Sequence, residues 1–130
     1  VVLTLPLSDG AGDRVHDFFE DMGGKWGARA DVIRKTAAAC AELHESMMDP
    51  AAMGREMRLE VTFDEYTLSV CAEYEGDELI VTNHRPSPEE LLEDEQALAR
   101  LSGFLVTQYA DRVSVESVRD KQRVVLRFEH

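Results

Sequence analysis

Residues 57–74 read MRLEVTFDEYTLSVCAEY, and their pattern decides the fold class. Met57, Leu59, Val61 and Phe63 alternate with Arg58, Glu60 and Thr62, and Leu68, Val70 and Ala72 alternate again after Asp64-Glu65-Tyr66. A period of two places all the apolar side chains of each run on one face. The short polar interruption turns the chain, so the stretch reads as an antiparallel hairpin with one buried and one exposed face.

Working toward the N-terminus, 31–48 has a helical period. Ile33, Ala37, Cys40, Leu43, His44 and Met47 share one face, Asp31 is a candidate N-cap, and Asp49-Pro50 ends the run. Before it, Val15, Phe18, Phe19 and Met22 recur at helical spacing from Asp13, and Gly23-Gly24 is the expected stop of a helix of about three turns. The opening VVLTLPL is β-prone and closes on the turn residues Ser8 to Gly12.

Working toward the C-terminus, Gly76-Asp77 turns the chain and ELIV adds a short strand. Ser87-Pro88-Glu89-Glu90 is a helix start with serine at the cap, proline at the first helical position and glutamate three residues after the cap. Leu91, Leu98, Leu101, Leu105 and Tyr109 follow at helical intervals, with the acidic first half forming a separate turn or segment. DRVSVESV and RVVLRFEH are two alternating strands joined at Arg119-Asp120-Lys121. The order β-α-α-β-β-(β)-α-β-β predicts one α+β domain: a two-layer sandwich whose mixed, mostly antiparallel sheet is covered on one face by about three helices.

Composition narrows the function. A net charge of −12, from 26 acidic against 14 basic residues, repels phosphate backbones and anionic membranes, so nucleic acid is not an expected partner. No apolar run approaches the length of a membrane span, so direct insertion by this segment is not expected either. The first residue is valine, which reads as a domain excised from a longer protein. Cys40 and Cys71 lie in apolar runs without metal or redox spacing and read as buried free thiols of a reducing compartment.

Several motifs carry chemistry in fragments. His44-Glu45 opens the zinc pattern H-E-x-x-H, but Met48 stands where the second histidine belongs and is too soft a donor for a hydrolytic zinc site. His16, His84 and His130 have no spacing that completes one. Gly10-Ala11-Gly12 lies between a strand and a helix but lacks the rest of either phosphate-loop pattern. Glu89 to Glu95 lacks the ligand spacing and glycine of a calcium loop. Trp26, between Lys25 and Arg29 in a glycine-rich connector, is either a binding-surface aromatic or a tryptophan folded over the core, with the core preferred.

The order of elements, with AELHES in the long helix, AEYEGD closing the hairpin, and RLSGFLVTQYADRVSVES followed by RVVLRFEH, resembles the GHKL ATP-binding domains, specifically the anti-sigma-factor serine kinase type related to histidine kinase ATPase domains. The resemblance implies a general base at Glu42, a magnesium-binding position at Ser46, where the family has asparagine, and an adenine-binding position at Tyr74, where it has aspartate. It also implies the motif glycine at Gly76, two residues after Tyr74, and a phosphate-facing glycine at Gly103. Serine is a poor substitute for an amide carbonyl on Mg²⁺, tyrosine removes the charged adenine acceptor, and the lid-like SPEELLEDEQALAR is acidic and has no glycine. The strings WGAR-DVI, FDEYTL and RPSPEE, at Trp26 to Arg29, Asp31 to Ile33, Phe63 to Leu68 and Arg85 to Glu90, resemble the cytosolic C-terminal extensions of bacterial xanthine/uracil permeases.

The reading is a degenerate, non-catalytic GHKL-like regulatory or assembly domain with no cofactor, at the cytoplasmic inner face of the membrane. Its expected partner is a transporter domain in the same chain or another protein, and a homo-oligomer is compatible. The first alternative is a functional ATP- and Mg²⁺-binding serine kinase, and the second is a sensor of purine or pyrimidine bases.

Overall fold

The 57–74 stretch forms the middle of a five-stranded sheet in the computed structural model of the chain, which describes residues 1–7, 12–48, 55–76 and 78–129. Strands β2 (Glu56–Phe63) and β3 (Thr67–Glu75) pair antiparallel, with Leu59 opposite Ala72 and Val61 opposite Val70. The Asp64 carboxylate closes the turn by accepting from the backbone N–H groups of Tyr66 at 2.8 Å and Thr67 at 2.7 Å. That bonding is local, so the turn forms from its own side chain.

The remaining elements are β1 (Val2–Pro6), α1 (Gly12–Trp26), α2 (Ala30–Met47), α3 (Pro88–Glu93), α4 (Ala97–Tyr109), β4 (Arg112–Val118) and β5 (Lys121–Glu129). The sheet order is β1-β2-β3-β5-β4, and its four neighbouring pairs are all antiparallel. The fold is an α+β two-layer sandwich, and among the described residues its sheet contains no parallel neighbours. Chain direction explains this. Two helices separate β1 from β2, so the chain returns to the end it left and β2 runs opposite to β1. The α4 crossover would set β4 parallel to β3, but β5 turns back at Arg119-Asp120 and inserts between them. Arg119 makes that tight turn with φ 59°, in the left-handed region.

The inner face of the sheet presents Leu5, Met57, Leu59, Val61, Leu68, Val70, Ala72, Val124, Leu126 and Phe128, all buried. Val15 and Phe19 of α1, Ala39, Cys40 and Leu43 of α2 and Val106 of α4 meet them. Each such side chain contributes about 1.5–3 kcal/mol if it is as large as valine or leucine. No described helix is long and apolar enough to cross a membrane.

The structure corrects several boundaries. α1 runs through Gly23-Gly24 and ends at Trp26, after which Gly27 adopts φ 68° and the N–H groups of Gly27 and Ala28 bond back to Gly23 O at 3.1 and 3.3 Å. Gly23 instead permits close approach of α2: a Cβ there would lie 2.7 Å from Ile33 Cγ1. α2 is capped from Arg29, and Asp31 sits inside its first turn, favourable to the helix dipole and 3.3 Å from the Arg29 guanidinium. The predicted start at Ser87 forms in full, with Ser87 Oγ accepting from Glu90 N–H at 3.1 Å and the Glu90 carboxylate accepting from Ser87 N–H. The acidic segment is indeed separate, as α3. The predicted strand at Glu78–Val81 is absent: those residues join no sheet, and Ile80 and the following Thr82 lie against α4. The turn residues Ser8 to Ala11, the Asp49-Pro50 stop, Asp77 and His130 lie outside the described residues.

Candidate functional site

Helix α2 lies between α1 and α4, contacting both. Ile33 marks its α1 flank, since Gly23 of α1 packs there. At 100° per residue, Ala37 and His44 lie on that same flank, whereas Glu42 and Ser46, one turn apart, lie on the flank turned toward α4. The helix thus divides the residues of AELHES between two neighbours.

His44 is buried, and its Nε2 is 2.7 Å from the Pro6 carbonyl oxygen. Proline has no N–H, but its carbonyl still needs a donor when covered, and His44 supplies it. This ties α2 to β1. Ser46 Oγ donates to the Leu43 carbonyl at 2.8 Å within its own helix. Glu42 is half-buried.

Tyr74 and Gly76 end β3. Tyr74 follows Leu68, Val70 and Ala72 on the inner face of the sheet and is only 3% exposed, so its ring belongs to the core. Gly76 has φ 145°, and its carbonyl accepts from Gln122 Nε2 at 3.2 Å. Gln122 is buried at an inner position of β5, and its Oε1 accepts a short hydrogen bond from Ser117 Oγ. This polar bridge joins the exit of β3 to the β4–β5 hairpin. Gln122 is legible in the sequence as the polar residue of β5 in phase with Val124, Leu126 and Phe128.

Gly103 is buried in α4 against the 79–82 segment. A Cβ at this position would fall onto the carbonyl oxygen of Ile80. One turn later, Thr107 Oγ1 lies 3.1 Å from Thr82 O and 2.6 Å from Phe104 O, fastening the same segment to the helix. The glycine is therefore a crossing point of two backbones, and the group it faces is the negative end of a carbonyl dipole.

The structure brings Glu42 and Ser46 to the α4 side of α2, puts Tyr74 in the core, and sets Gly103 against Ile80. Among the described residues, open cavities occur at several other places. One of about 340 Å³ opens on the outer sheet face beside Arg58, Glu73 and Tyr74. One of about 520 Å³ lies between α1 and α2 beside His16, Glu20 and Ile33. One of about 400 Å³ lies at the far end of the sheet beside Asp111, Arg112 and Arg127. None of the three is lined by Glu42, Ser46, Gly76 or Gly103.

The other sequence candidates resolve individually. Trp26 is half-buried and stacks on Phe63 with ring centroids 5.4 Å apart and planes 5° from parallel, closing the edge of the core. Cys40 is fully buried, and burial pushes its thiol well above the ordinary range. Cys71 departs from expectation: it points to the outer sheet face, half-exposed, with Arg123 Nε 3.0 Å from its sulfur. The strand period had already placed it there, opposite in phase to Val70 and Ala72. In the acidic segment, Asp94 accepts from Arg100 at 2.6 Å and from Gln96 N–H at 2.9 Å. The Arg100 guanidinium and then the Gln96 amide hold its carboxyl below the usual range, and Glu90 lies 3.6 Å from the same arginine. Among the described residues no three His, Cys, Asp or Glu side chains converge as a metal site.

No protein-family model matches the chain, and no curated protein matches it significantly.

Proposed function

We propose that this chain is a degenerate, non-catalytic GHKL-like regulatory or assembly domain, the cytosolic C-terminal part of a xanthine/uracil permease-type nucleobase transporter. The observation that carries the non-catalytic half is the crossing at Gly103. The position where a phosphate-binding domain needs open space and donors is filled by the Ile80 carbonyl, an acceptor that repels phosphate oxygens. Two further contacts act in the same direction. Ser46 spends its hydroxyl on Leu43 O, and Tyr74 fills core volume where the family places an adenine-binding carboxylate. The transporter half is supported by the WGAR-DVI, FDEYTL and RPSPEE strings.

Calorimetric titration with ATP or ADP and Mg²⁺ tests the first half. Silence at millimolar nucleotide is the expected result, and micromolar binding overturns it in favour of the kinase. For the second half, the coding sequence upstream of Val1 is expected to encode several apolar spans of about 20 residues each. A coding sequence without them sinks the transporter assignment.

A further inference from the structure

The ladder hydrogen bonds alternate across the whole sheet, and that alternation determines which backbone groups of its last strand face outward. Val61 N–H bonds Val1 O at 2.8 Å and the Val1 amino group bonds Val61 O at 3.1 Å, so odd-numbered residues of β2 bond to β1 and even-numbered ones to β3. Carried through the registers, β3 bonds β5 through even residues and β5 bonds β4 through odd ones. The far end agrees: Asp111 N–H bonds Arg127 O at 2.9 Å, and Glu129 N–H reaches the Asp111 carboxylate at 2.7 Å. Arg112, Ser114, Glu116 and Val118 therefore bond β5. Val113, Val115 and Ser117 turn their N–H and C=O groups away from the sheet, with no described strand beyond.

An open edge of this kind is a template for another strand unless it is blocked by proline, by a bulge or by charge. The other edge, β1, ends in Pro6, but β4 has no proline. Its two charges do not block every partner, because the sequence Arg112-Val113-Ser114-Val115-Glu116 is complementary to its own reverse.

We propose that a second copy of this chain pairs antiparallel along β4, about a two-fold axis at Ser114 perpendicular to the sheet, making one continuous sheet with the helices of both copies on the same side. In this register Val113 lies opposite the partner's Val115, and Val115 opposite the partner's Val113. Both are outward-bonding positions, so backbone bonds form. On the outer face Arg112 lies opposite the partner's Glu116, and the reverse. Moving the register by two residues puts Arg112 opposite Ser114 or Val118 and loses both charge pairs; moving it by one sets outward groups against inward ones.

The pairing also gives Arg112 an ionic partner. Arg112 sits directly across from Arg127 on the outer face, in a recess shared with Asp64, Asp111 and Glu129, and among the described residues neither guanidinium forms an ion pair. In the pair, the row Arg58-Glu73-Arg123-Glu116 continues with the partner's Arg112, extending the alternation of sign. Val113 and Val115, half-covered in the monomer, gain apolar neighbours. A seven-residue edge is small beside a standard dimer interface, so the association is concentration-dependent.

The test is sedimentation equilibrium of the wild-type chain and of R112E and E116R, at physiological salt to screen the net charge. The wild type is expected to dimerise with rising concentration, and each single variant to weaken the dimer by roughly tenfold or more, because it sets like charges opposite each other twice. Mixing the two variants recreates both opposite-charge pairs and is expected to restore dimers. A wild-type chain that stays monomeric at millimolar concentration overturns the proposal, as do single variants that dimerise normally or a mixture that stays monomeric. Should either variant fail to fold, hydrogen exchange on the wild type decides: the Val113 and Val115 amides gain protection with concentration if the edge pairs, and stay unprotected if it does not. None of these readouts depends on nucleotide binding, so this proposal and the preceding one fail separately.

Discussion

Replacing Gly103 by alanine tests the backbone crossing on which the functional reading rests. In an ordinary helix interior the change stabilises by about 1 kcal/mol, because alanine loses less backbone freedom on folding. Here the new Cβ falls onto the Ile80 carbonyl, and neither atom belongs to a side chain that can rotate away. Either α4 or the 79–82 segment must shift, at about 3 kcal/mol, the upper part of the range for inserting a carbon into a packed interior. The shift also breaks the Thr107 bond to Thr82 O, worth about 1 kcal/mol. The net loss is about 3 kcal/mol. With a urea m-value of about 1.5 kcal/mol/M, the midpoint falls by about 2 M. Gly24 provides the control, since it lies in α1 with no atom within 4 Å of an added Cβ, and Gly24→Ala should raise stability by up to about 1 kcal/mol. Paired urea titrations followed by circular dichroism decide the matter. If Gly103→Ala is as stable as the wild type, the crossing is loose, and the space before α4 is available to a ligand after all.

Other perturbations test other joints. His44→Ala leaves the Pro6 carbonyl without its donor and opens a cavity between α2 and β1, and should cost about 2–4 kcal/mol in a denaturant titration; a loss below 1 kcal/mol would contradict the role given to that bond. With a thiol reagent on the native protein, Cys71 should react promptly and Cys40 only on unfolding, and peptide mapping that finds Cys40 labelled first would refute the assignment. Asp94 should titrate below a free aspartate by NMR, and Arg100→Gln should move it back up. Because the folded value is the depressed one, the linked stabilisation is complete above about pH 4 and is lost as pH falls through the folded value.

The strand period was the most legible feature of the chain because it repeats. Every inner residue from Met57 to Ala72 is where alternation puts it, and the Ser87 capping box forms from four adjacent residues. The misreadings concern residues whose local signal has two physical meanings. Glycine ends a helix only where it takes a positive φ, as Gly27 does; Gly23 and Gly103 are there because a neighbouring chain comes too close for a Cβ. Cys71 was grouped with Cys40 by residue type, although phase along the strand separates them. The ELIV run is apolar enough for a strand, but its neighbour is α4 rather than a sheet edge, and packing against a helix leaves no ladder to join. The glycine and ELIV distinctions belong to tertiary contacts, which a single local pattern does not encode.

The distribution of charge joins the two proposals. The outer sheet face carries Arg58, Arg112, Lys121, Arg123 and Arg127 against Glu56, Glu60, Glu73, Glu75, Glu116 and Glu129, so it is close to balanced. Nearly all of the net −12 therefore lies on the helices and loops. It is dense around α3, where Glu89, Glu90, Glu93, Asp94 and Glu95 precede α4 and Arg100 pairs with two of them, Glu90 and Asp94. A triphosphate approaching that part of the helical layer meets this negative charge, which acts over a screening length of about 8 Å at physiological salt. The balanced sheet plane offers no such barrier to a second copy arriving edge-on. The same sequence thus disfavours an anionic ligand on its helical side and leaves the β4 edge open to a strand of its own kind.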